Sequence, residues 1–216
     1  MCHFMKHDPS QNCPLCPRLV AFREEWRGKK PDWHNSPVET WSSDKESAVR
    51  MMIIGLAPGL RGANATGRPF TGDFAGDLLY STLLKFGFAQ GEYKQTPDDG
   101  MQLVSCAITN AVRCVPPQNK PVGEEINNCR PFLLETLMRF PNLKALITLG
   151  KIAHDTTTRA FGERVAAHPF RHQGQHEMGG YRVFSSYHCS RYNTNTNVLT
   201  VEMFENVFKD VRTFLN

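Results

Sequence analysis

Short apolar runs alternate with amphipathic segments along this chain, and this alternation restricts its fold more than any other feature. Continuous apolar runs predict buried strands, and apolar residues spaced three or four apart predict helices. Neighbouring parallel strands need a crossover, usually a helix. We therefore predict a three-layer α/β/α sandwich around a mostly parallel sheet of four strands. The predicted elements are helix 17–26, strand 49–55, helix 73–86, strand 103–109, helix 123–139, strand 143–149, helix 151–161, strand 181–187 and a closing helix 200–215.

Length and composition predict a single domain over residues 1–216. Hydrophobic residues make up 40% of the chain, enough for a good core, and we find no repeat or linker. The segment 29–47, with its Pro, Ser, Asp and Trp residues, is predicted to be an ordered surface loop. The most apolar stretch, 51–57, is far shorter than the roughly 20 residues that span a bilayer, so we expect no membrane association.

Four of the seven cysteines form two clusters that predict a metal site shared by distant parts of the chain. Cys13 and Cys16 leave two residues between them, so both sulfurs can reach one metal centre, and Cys114 with Cys129 would complete a four-thiolate cage. This makes the N-terminal segment a metal-binding one. The sulfur count allows either zinc or an iron–sulfur cluster, and a Cys-x-x-Cys pair also occurs as a redox pair.

The remaining cysteines bear on the cellular compartment. Cys2, Cys106 and Cys189 make the total odd, which a disulfide framework of a secreted domain would not favour. The first residues also lack the apolar core of a signal peptide. We therefore expect the protein in the reducing cytoplasm.

Glycine-rich and polar segments follow three of the predicted strands, at 55–73, 110–114 and 188–196. Ligands of open α/β sheets bind at the carboxyl ends of the strands, so these segments should converge on one site. The first segment lacks the Gly-Lys-Ser/Thr of a P-loop and the dinucleotide fingerprint. A nucleotide cofactor is therefore not expected.

Several motifs follow one another along nearly the whole chain. They are the Cys13/Cys16 pair followed by RLVAFREE at 18–25, GLAPG at 55–59, TGRPFTGD at 66–73, NAVRCVPPQNKP at 110–121, Cys129 with PFL at 131–133, LITLGKIA at 146–153 and SYHCSRYNTNT at 186–196. In this order they resemble the uracil-DNA glycosylase superfamily, and within it the iron–sulfur-containing family 5, or type B, enzymes. That family has a three-layer α/β/α fold and holds a 4Fe-4S cluster with four cysteines, so the resemblance implies iron–sulfur rather than zinc.

The resemblance implies hydrolysis of the N-glycosidic bond of uracil, and of other deaminated or damaged bases, in double-stranded DNA, which leaves an abasic site and initiates base excision repair. A non-catalytic iron–sulfur DNA-binding protein of the same fold is the alternative. The net charge of +4 permits a nucleic-acid partner without requiring one. Lys120 and Arg113 are candidates for phosphate contacts. We expect a monomer, and nothing in the chain identifies a sliding clamp as partner.

Three residues are the catalytic candidates. Asp73 is expected at the start of a helix, where an ordinary N-cap is the local interpretation, but the resemblance implies a carboxylate that activates the attacking water. His188 would donate a hydrogen bond to O2 of the departing base. Asn119 is a second polar candidate, although Asn-Lys-Pro is also typical of a turn. Asp77 is a weaker substitute for Asp73.

Four residues are expected to bind the flipped base. Phe70 would stack against it, with an ordinary core phenylalanine as the alternative. The Asn110 amide could pair with O4 and N3–H of uracil, whereas cytosine presents the opposite pattern. Many type B enzymes have a small residue there, so Asn110 implies stronger uracil activity than is usual. Gly55 and Leu56 begin the first loop, and Leu56 replaces the acid or amide of other families.

The loop after the last strand is expected to contact DNA through Ser190, Arg191 and Tyr192. By the resemblance it enters the minor groove, where Arg191 or Tyr192 would fill the vacated space or grip a phosphate. A solvated surface is the plain alternative. The chain departs from the family pattern at two places, with Cys189 in place of proline and Asn197 in place of glycine.

Overall fold

A six-stranded sheet forms the centre of the fold, which a computed structural model describes for residues 8–216. Its strand order is β1-β5-β2-β6-β8-β7, and the inner four strands are parallel while the two edge strands are antiparallel to their neighbours. The β3 and β4 strands pair separately. The strands are β1 (Trp41–Ser42), β2 (Met51–Gly55), β3 (Ala89–Gln90), β4 (Gln102–Leu103), β5 (Cys106–Asn110), β6 (Ala145–Leu149), β7 (Gln175–Met178) and β8 (Tyr181–Ser186).

The predicted sheet of four strands was wrong in number, because both edge strands lack an apolar pattern. The β1 strand has only two residues and β7 reads Gln-His-Glu-Met. The β1 strand lies inside segment 29–47, so the prediction of a surface loop there was also wrong in part. Residues 35–38 of that segment are buried. Cys2 lies outside the described residues.

The helices confirm the predicted alternation. Five helices match predicted ones, and the main difference in bounds is that the first continues to Lys29. The two short ones were not predicted, because four or five residues are too few to show a helical period. The helices are α1 (Pro17–Lys29), α2 (Ala63–Thr66), α3 (Phe74–Lys85), α4 (Gly123–Met138), α5 (Lys151–Ala160), α6 (Arg191–Asn195) and α7 (Val201–Leu215).

The helices cover both faces of the sheet, as the predicted three-layer sandwich requires. Successive side chains of a strand point to opposite faces. Met51 and Ile53 accordingly pack in a cluster with residues of α3 and α7, while Met52 and Ile54 pack in another with residues of α4. All four side chains are fully buried. None of the helices in residues 8–216 is long and apolar enough to cross a membrane.

The carboxyl ends of the inner strands lie at one edge of the sheet. Gly55, the last residue of β2, pairs in register with Asn110, the last residue of β5. The β8 strand ends nearby at Ser186, two residues before His188. The parallel topology therefore brings the loops that follow β2, β5 and β8 together.

Candidate active site

A cavity of about 330 Å³ lies at this edge of the sheet. It contains all three residues predicted as catalytic and most of those predicted to bind the base or DNA. Gly55 and Tyr192 do not line it. The lining residues are Leu56, Ala57, Pro58, Gly59, Ala63, Phe70, Asp73, Phe74, Ala75, Asn110, Asn119, His188, Ser190 and Arg191.

Gly55 brings two of the predicted base-binding side chains together. A Cβ atom at this position would lie 2.4 Å from Oδ1 of Asn110 and 2.7 Å from Cζ of Phe70. Only glycine leaves room for both groups. Asn110 is 3% exposed, and its amide has no hydrogen-bond partner within residues 8–216. Its donor and acceptor are therefore free to pair with a ligand in the cavity.

Phe70 is held in an uncommon backbone conformation. Its φ angle is 56°, in the left-handed region that an aromatic residue rarely adopts. The hydroxyl of Tyr80 donates to the carbonyl of Pro69, and the hydroxyl of Tyr93 donates to that of Phe70 at 3.4 Å. These bonds hold the turn in which the Phe70 ring, 7% exposed, forms a wall of the cavity.

A buried ion pair anchors the same turn. The Arg68 guanidinium donates to both carboxylate oxygens of Asp99, at 2.8 and 2.7 Å, and lies 4.8 Å from the ring centre of Trp41. Hydrogen bonds from Arg68 hold the pKa of Asp99 far below its usual range. Arg68 also donates to Thr71 at 2.7 Å. Sequence reasoning missed this support, because no local pattern links positions about thirty residues apart.

Asp73 occupies the N-cap position of α3, but its side chain makes no capping hydrogen bond. The carboxylate lies instead against the preceding loop. A Cβ atom at Gly59 or Gly62 would lie 2.4 or 2.0 Å from its Oδ2. Burial raises the pKa of Asp73, and a hydrogen bond from the backbone of Ala63 opposes that effect. Asp77 accepts a hydrogen bond from Gln95 at 2.7 Å and does not line the cavity.

His188 lines the same cavity. Its ring centre is 6.1 Å from that of Phe70, and the imidazole has no hydrogen-bond partner within residues 8–216. Burial lowers its pKa to about 4. The imidazole is therefore neutral near pH 7, with one nitrogen as donor and the other as acceptor.

The remaining predicted contacts lie at the mouth of the cavity. Asn119 is exposed and has a φ angle of 56°. Ser190 caps α6 by accepting from the backbone of Asn193 at 3.4 Å, and the guanidinium of Arg191 lies 4.9 Å from the ring centre of Phe74. Tyr192 is 74% exposed. These side chains form a polar and aromatic rim that faces solvent.

The two departures from the family pattern have structural consequences. Asn197 has a φ angle of 56°, a conformation that favours glycine and that asparagine tolerates better than most residues. Cys189 is fully buried, and its thiol donates to the carbonyl of Ala75 at 3.4 Å. Asn197 thus adopts a conformation typical of glycine, and Cys189 packs in the core.

Arg113 does not lie on the surface, so its prediction as a phosphate contact was wrong. Its side chain is fully buried and donates to Thr40 and Thr136, each at 2.7 Å. It also forms an ion pair with Asp8 at 2.9 Å. Lys120 is exposed, as a phosphate contact requires.

The four predicted cysteine ligands line a second, small cavity beside α1. Burial raises the pKa of Cys114 to about 12 and that of Cys129 to about 11. Two groups donate to the sulfurs: Nδ2 of Asn128 to Sγ of Cys16 at 3.8 Å, and the backbone N–H of Arg113 to Sγ of Cys129 at 3.3 Å. In the described part of the chain, no three His, Cys, Asp or Glu side chains are arranged to hold a metal ion.

Comparison with known proteins extends the similarity over most of the chain. The sequence model of the uracil DNA glycosylase superfamily matches residues 43–212. A type-5 uracil-DNA glycosylase of Thermus thermophilus is 41% identical over 205 residues, which are 93% of this chain and 92% of that protein. The type-5 enzyme of Pyrobaculum aerophilum is 36% identical, over 92% of this chain and 87% of its own. A type-4 uracil-DNA glycosylase of the same organism is 30% identical over 73% of this chain and 65% of its own.

Proposed function

Since this chain belongs to the uracil DNA glycosylase superfamily, we propose that it hydrolyses the N-glycosidic bond of uracil in DNA and leaves an abasic site for base excision repair. The observation that carries this proposal is the convergence of Phe70, Asp73, Asn110 and His188 on one cavity. Other deaminated or damaged bases belong to the proposed range. We further propose that the chain acts in the cytoplasm as a single-domain monomer on double-stranded DNA.

The base would enter the cavity after rotation out of the duplex. That rotation costs a few kcal/mol, and least for a mismatched base such as uracil opposite guanine. Phe70 would stack on the flipped ring, and the Asn110 amide would donate to O4 and accept from N3–H. Gly55 and Leu56 would bring the backbone close to the base. Cytosine presents the reverse pattern, and this supports discrimination against the normal base.

Cleavage leaves a cation-like sugar and an anionic base, and the cavity has a group for each charge. The neutral His188 would donate a hydrogen bond to O2, where negative charge develops. The Asp73 carboxylate would orient the attacking water, accept its proton and stabilise the positive sugar. Water oxygen then bonds to the sugar carbon as the base departs with the bonding electrons. Asn119, at the mouth, would help to place the substrate.

The rim is suited to contact DNA around the flipped nucleotide. Ser190, Arg191 and Tyr192 project from the start of α6, next to His188 in the sequence. Tyr192 would fill the space that the base leaves, and Arg191 would bind a neighbouring phosphate. Both side chains are exposed, so no rearrangement of the core is needed for these contacts.

The second cavity fits a 4Fe-4S cluster held by Cys13, Cys16, Cys114 and Cys129. All four cysteines line one apolar cavity. The resemblance of their motifs to those of the iron–sulfur-containing family favours a cluster, and zinc is the less favoured alternative. Positive charge from Arg23 and Arg113 would offset that of the thiolates. When bound, the cluster would join α1 to β5 and α4, and hydrolysis requires no redox step.

The test is single-turnover cleavage of labelled duplexes that contain U·G, U·A or hypoxanthine·T, followed by hot alkali. We expect strand breaks with the native chain and losses of about 10²-fold or more in Asp73→Ala and His188→Ala. Asp77→Ala is the matched control, because Asp77 lies one turn further along α3 and outside the cavity. DNA binding without breaks on every substrate would overturn the proposal and support a non-catalytic DNA-binding protein.

A further inference from the structure

A second histidine, His172, contacts Tyr187, the residue that precedes His188. Its Nδ1 accepts the backbone N–H of Tyr187 at 3.1 Å. The two rings also stack, with centres 5.0 Å apart and planes inclined by 17°. His172 therefore contacts both the main chain and the side chain of Tyr187. Tyr187 is the first residue after β8, in the loop that carries His188.

The hydrogen bond defines the protonation state of His172. A backbone N–H can only donate, so Nδ1 must carry a lone pair and the imidazole proton must be on Nε2. Burial lowers the pKa of His172, against a smaller opposing effect from the backbone of Met203. The neutral ring that the geometry requires is thus also the form that its surroundings favour.

His172 is itself held firmly to the sheet. The backbone N–H of Gln173 donates to Ser185 at 2.7 Å, and that of Ser185 donates to Gly174 at 2.9 Å. These bonds tie the segment that carries His172 to β8. Phe170, in the same segment, packs against His154, with ring centres 5.6 Å apart. A side chain on such a segment can transmit a fixed position to its neighbour.

The opposite side of His188 is held by another side chain. Nδ2 of Asn193 donates to the backbone carbonyl of His188 at 2.8 Å. Side chains therefore fix the backbone just before His188 and just after it. The imidazole has no hydrogen-bond partner of its own within residues 8–216. Its direction in the cavity consequently depends on this backbone and on packing.

We propose that His172 is a positioning residue for His188. By accepting the Tyr187 N–H, it holds the end of β8 in the conformation that directs the His188 imidazole into the cavity. This inference rests on the proposed function, because it assigns His172 a role only through the hydrogen bond of His188 to the departing base. A displacement of a catalytic group by about 1 Å can cost about 10²-fold in rate, so the position of this backbone matters.

Two substitutions separate the hydrogen bond from the stacking. His172→Asn keeps an acceptor at the position of Nδ1 and loses the ring, whereas His172→Phe keeps an aromatic ring and loses the acceptor. We expect His172→Phe to lower the single-turnover rate about tenfold. The enzyme concentration that gives half of the maximal rate should stay unchanged, because DNA binding is not affected. His172→Asn should remain within about threefold of the native rate. Melting temperatures of both variants separate this effect from a general loss of stability.

The His188→Ala background provides the decisive comparison. If His172 acts through His188, His172→Phe should cause no further loss in that background, because coupled residues are not additive. Where His172→Phe folds poorly, His172→Leu, which also lacks the acceptor, takes its place in this comparison. Asn193→Ala, which removes the hydrogen bond to the His188 carbonyl, should likewise cause no further loss. Full activity of His172→Phe, or an equal loss with and without His188, would overturn this inference alone. A native chain that does not cleave uracil DNA would overturn the proposed function and this inference together.

Discussion

A Cβ atom on Gly62 would lie 2.0 Å from Oδ2 of Asp73. The carboxylate thus packs directly on the backbone that precedes α2, rather than on the amides of the helix that it begins. A Cβ atom on Gly59 would also lie 2.4 Å from Oδ2, so the position of the Asp73 carboxylate depends on two glycines of the preceding loop.

Gly62→Ala should displace the Asp73 carboxylate and lower the single-turnover rate by about tenfold or more, while DNA binding changes little. Cleavage rates and binding of uracil-containing duplex are the measurements. Gly28→Ala is the matched control, because a Cβ at Gly28 meets nothing within 4 Å. Equal rates for the two variants would show that the packing against Gly62 is unimportant for activity.

Asn110→Ala should lower the rate on U·G and U·A duplexes by about 10- to 10²-fold, because the edge of the bound base loses its hydrogen-bond partners. Single-turnover rates at saturating enzyme test this directly. Asn142→Ala is a suitable control, since Asn142 is exposed and its amide donates to the backbone carbonyl of Ser47, away from the cavity. A native rate in Asn110→Ala would remove this residue from base recognition.

Cys114→Ser should lose the proposed cluster and, with it, the linkage of α1 to β5. The measurements are iron, acid-labile sulfide and zinc content, visible absorbance and melting temperature. We expect the melting temperature to fall, whereas protein that remains folded should keep its cleavage rate. Cys106→Ala should retain the metal, because Cys106 is buried in the sheet and does not line the cysteine cavity. Stoichiometric zinc without iron in the native protein would contradict the cluster.

The free energy of unfolding should depend on pH through His188. Burial lowers its pKa in the folded chain to about 4 from an ordinary value of 6.5. Between these values the unfolded state binds more protons, so stability falls as the pH is lowered through this window. At about 1.36 kcal/mol per pKa unit, the loss from this residue is roughly 3 kcal/mol by pH 4.

Urea denaturation of the native chain and of His188→Gln at several pH values from 7 to 4 isolates this effect. The advantage of the variant should grow as the pH falls, since the other histidines, including the buried His154, are common to both proteins. A difference that stays constant with pH would show that His188 is not held neutral by its surroundings.

Much of the fold was predictable because strong periodic patterns mark its interior. The inner strands and the five longer helices follow from apolar runs and from apolar residues at helical spacing, which reflect burial on both faces of a sheet. The edges were not predictable. In β1 and β7 the strand conformation comes from pairing with β5 and β8, and their own residues show no apolar pattern.

The candidate site, like the fold, was predictable only in part. The sequence by itself determined which side chains are candidates. Phe70, Asp73, Asn119 and His188 stand in or next to the loops that parallel strands bring to one edge, and Asn110 ends one of those strands. Only the tertiary structure decided that Asp73 does not cap its helix and that Arg113 is buried. It also brought Arg68 onto Asp99 and His172 onto Tyr187. Local sequence specifies element type and chain order, whereas contacts between distant residues depend on how the layers pack, and no short pattern encodes that packing.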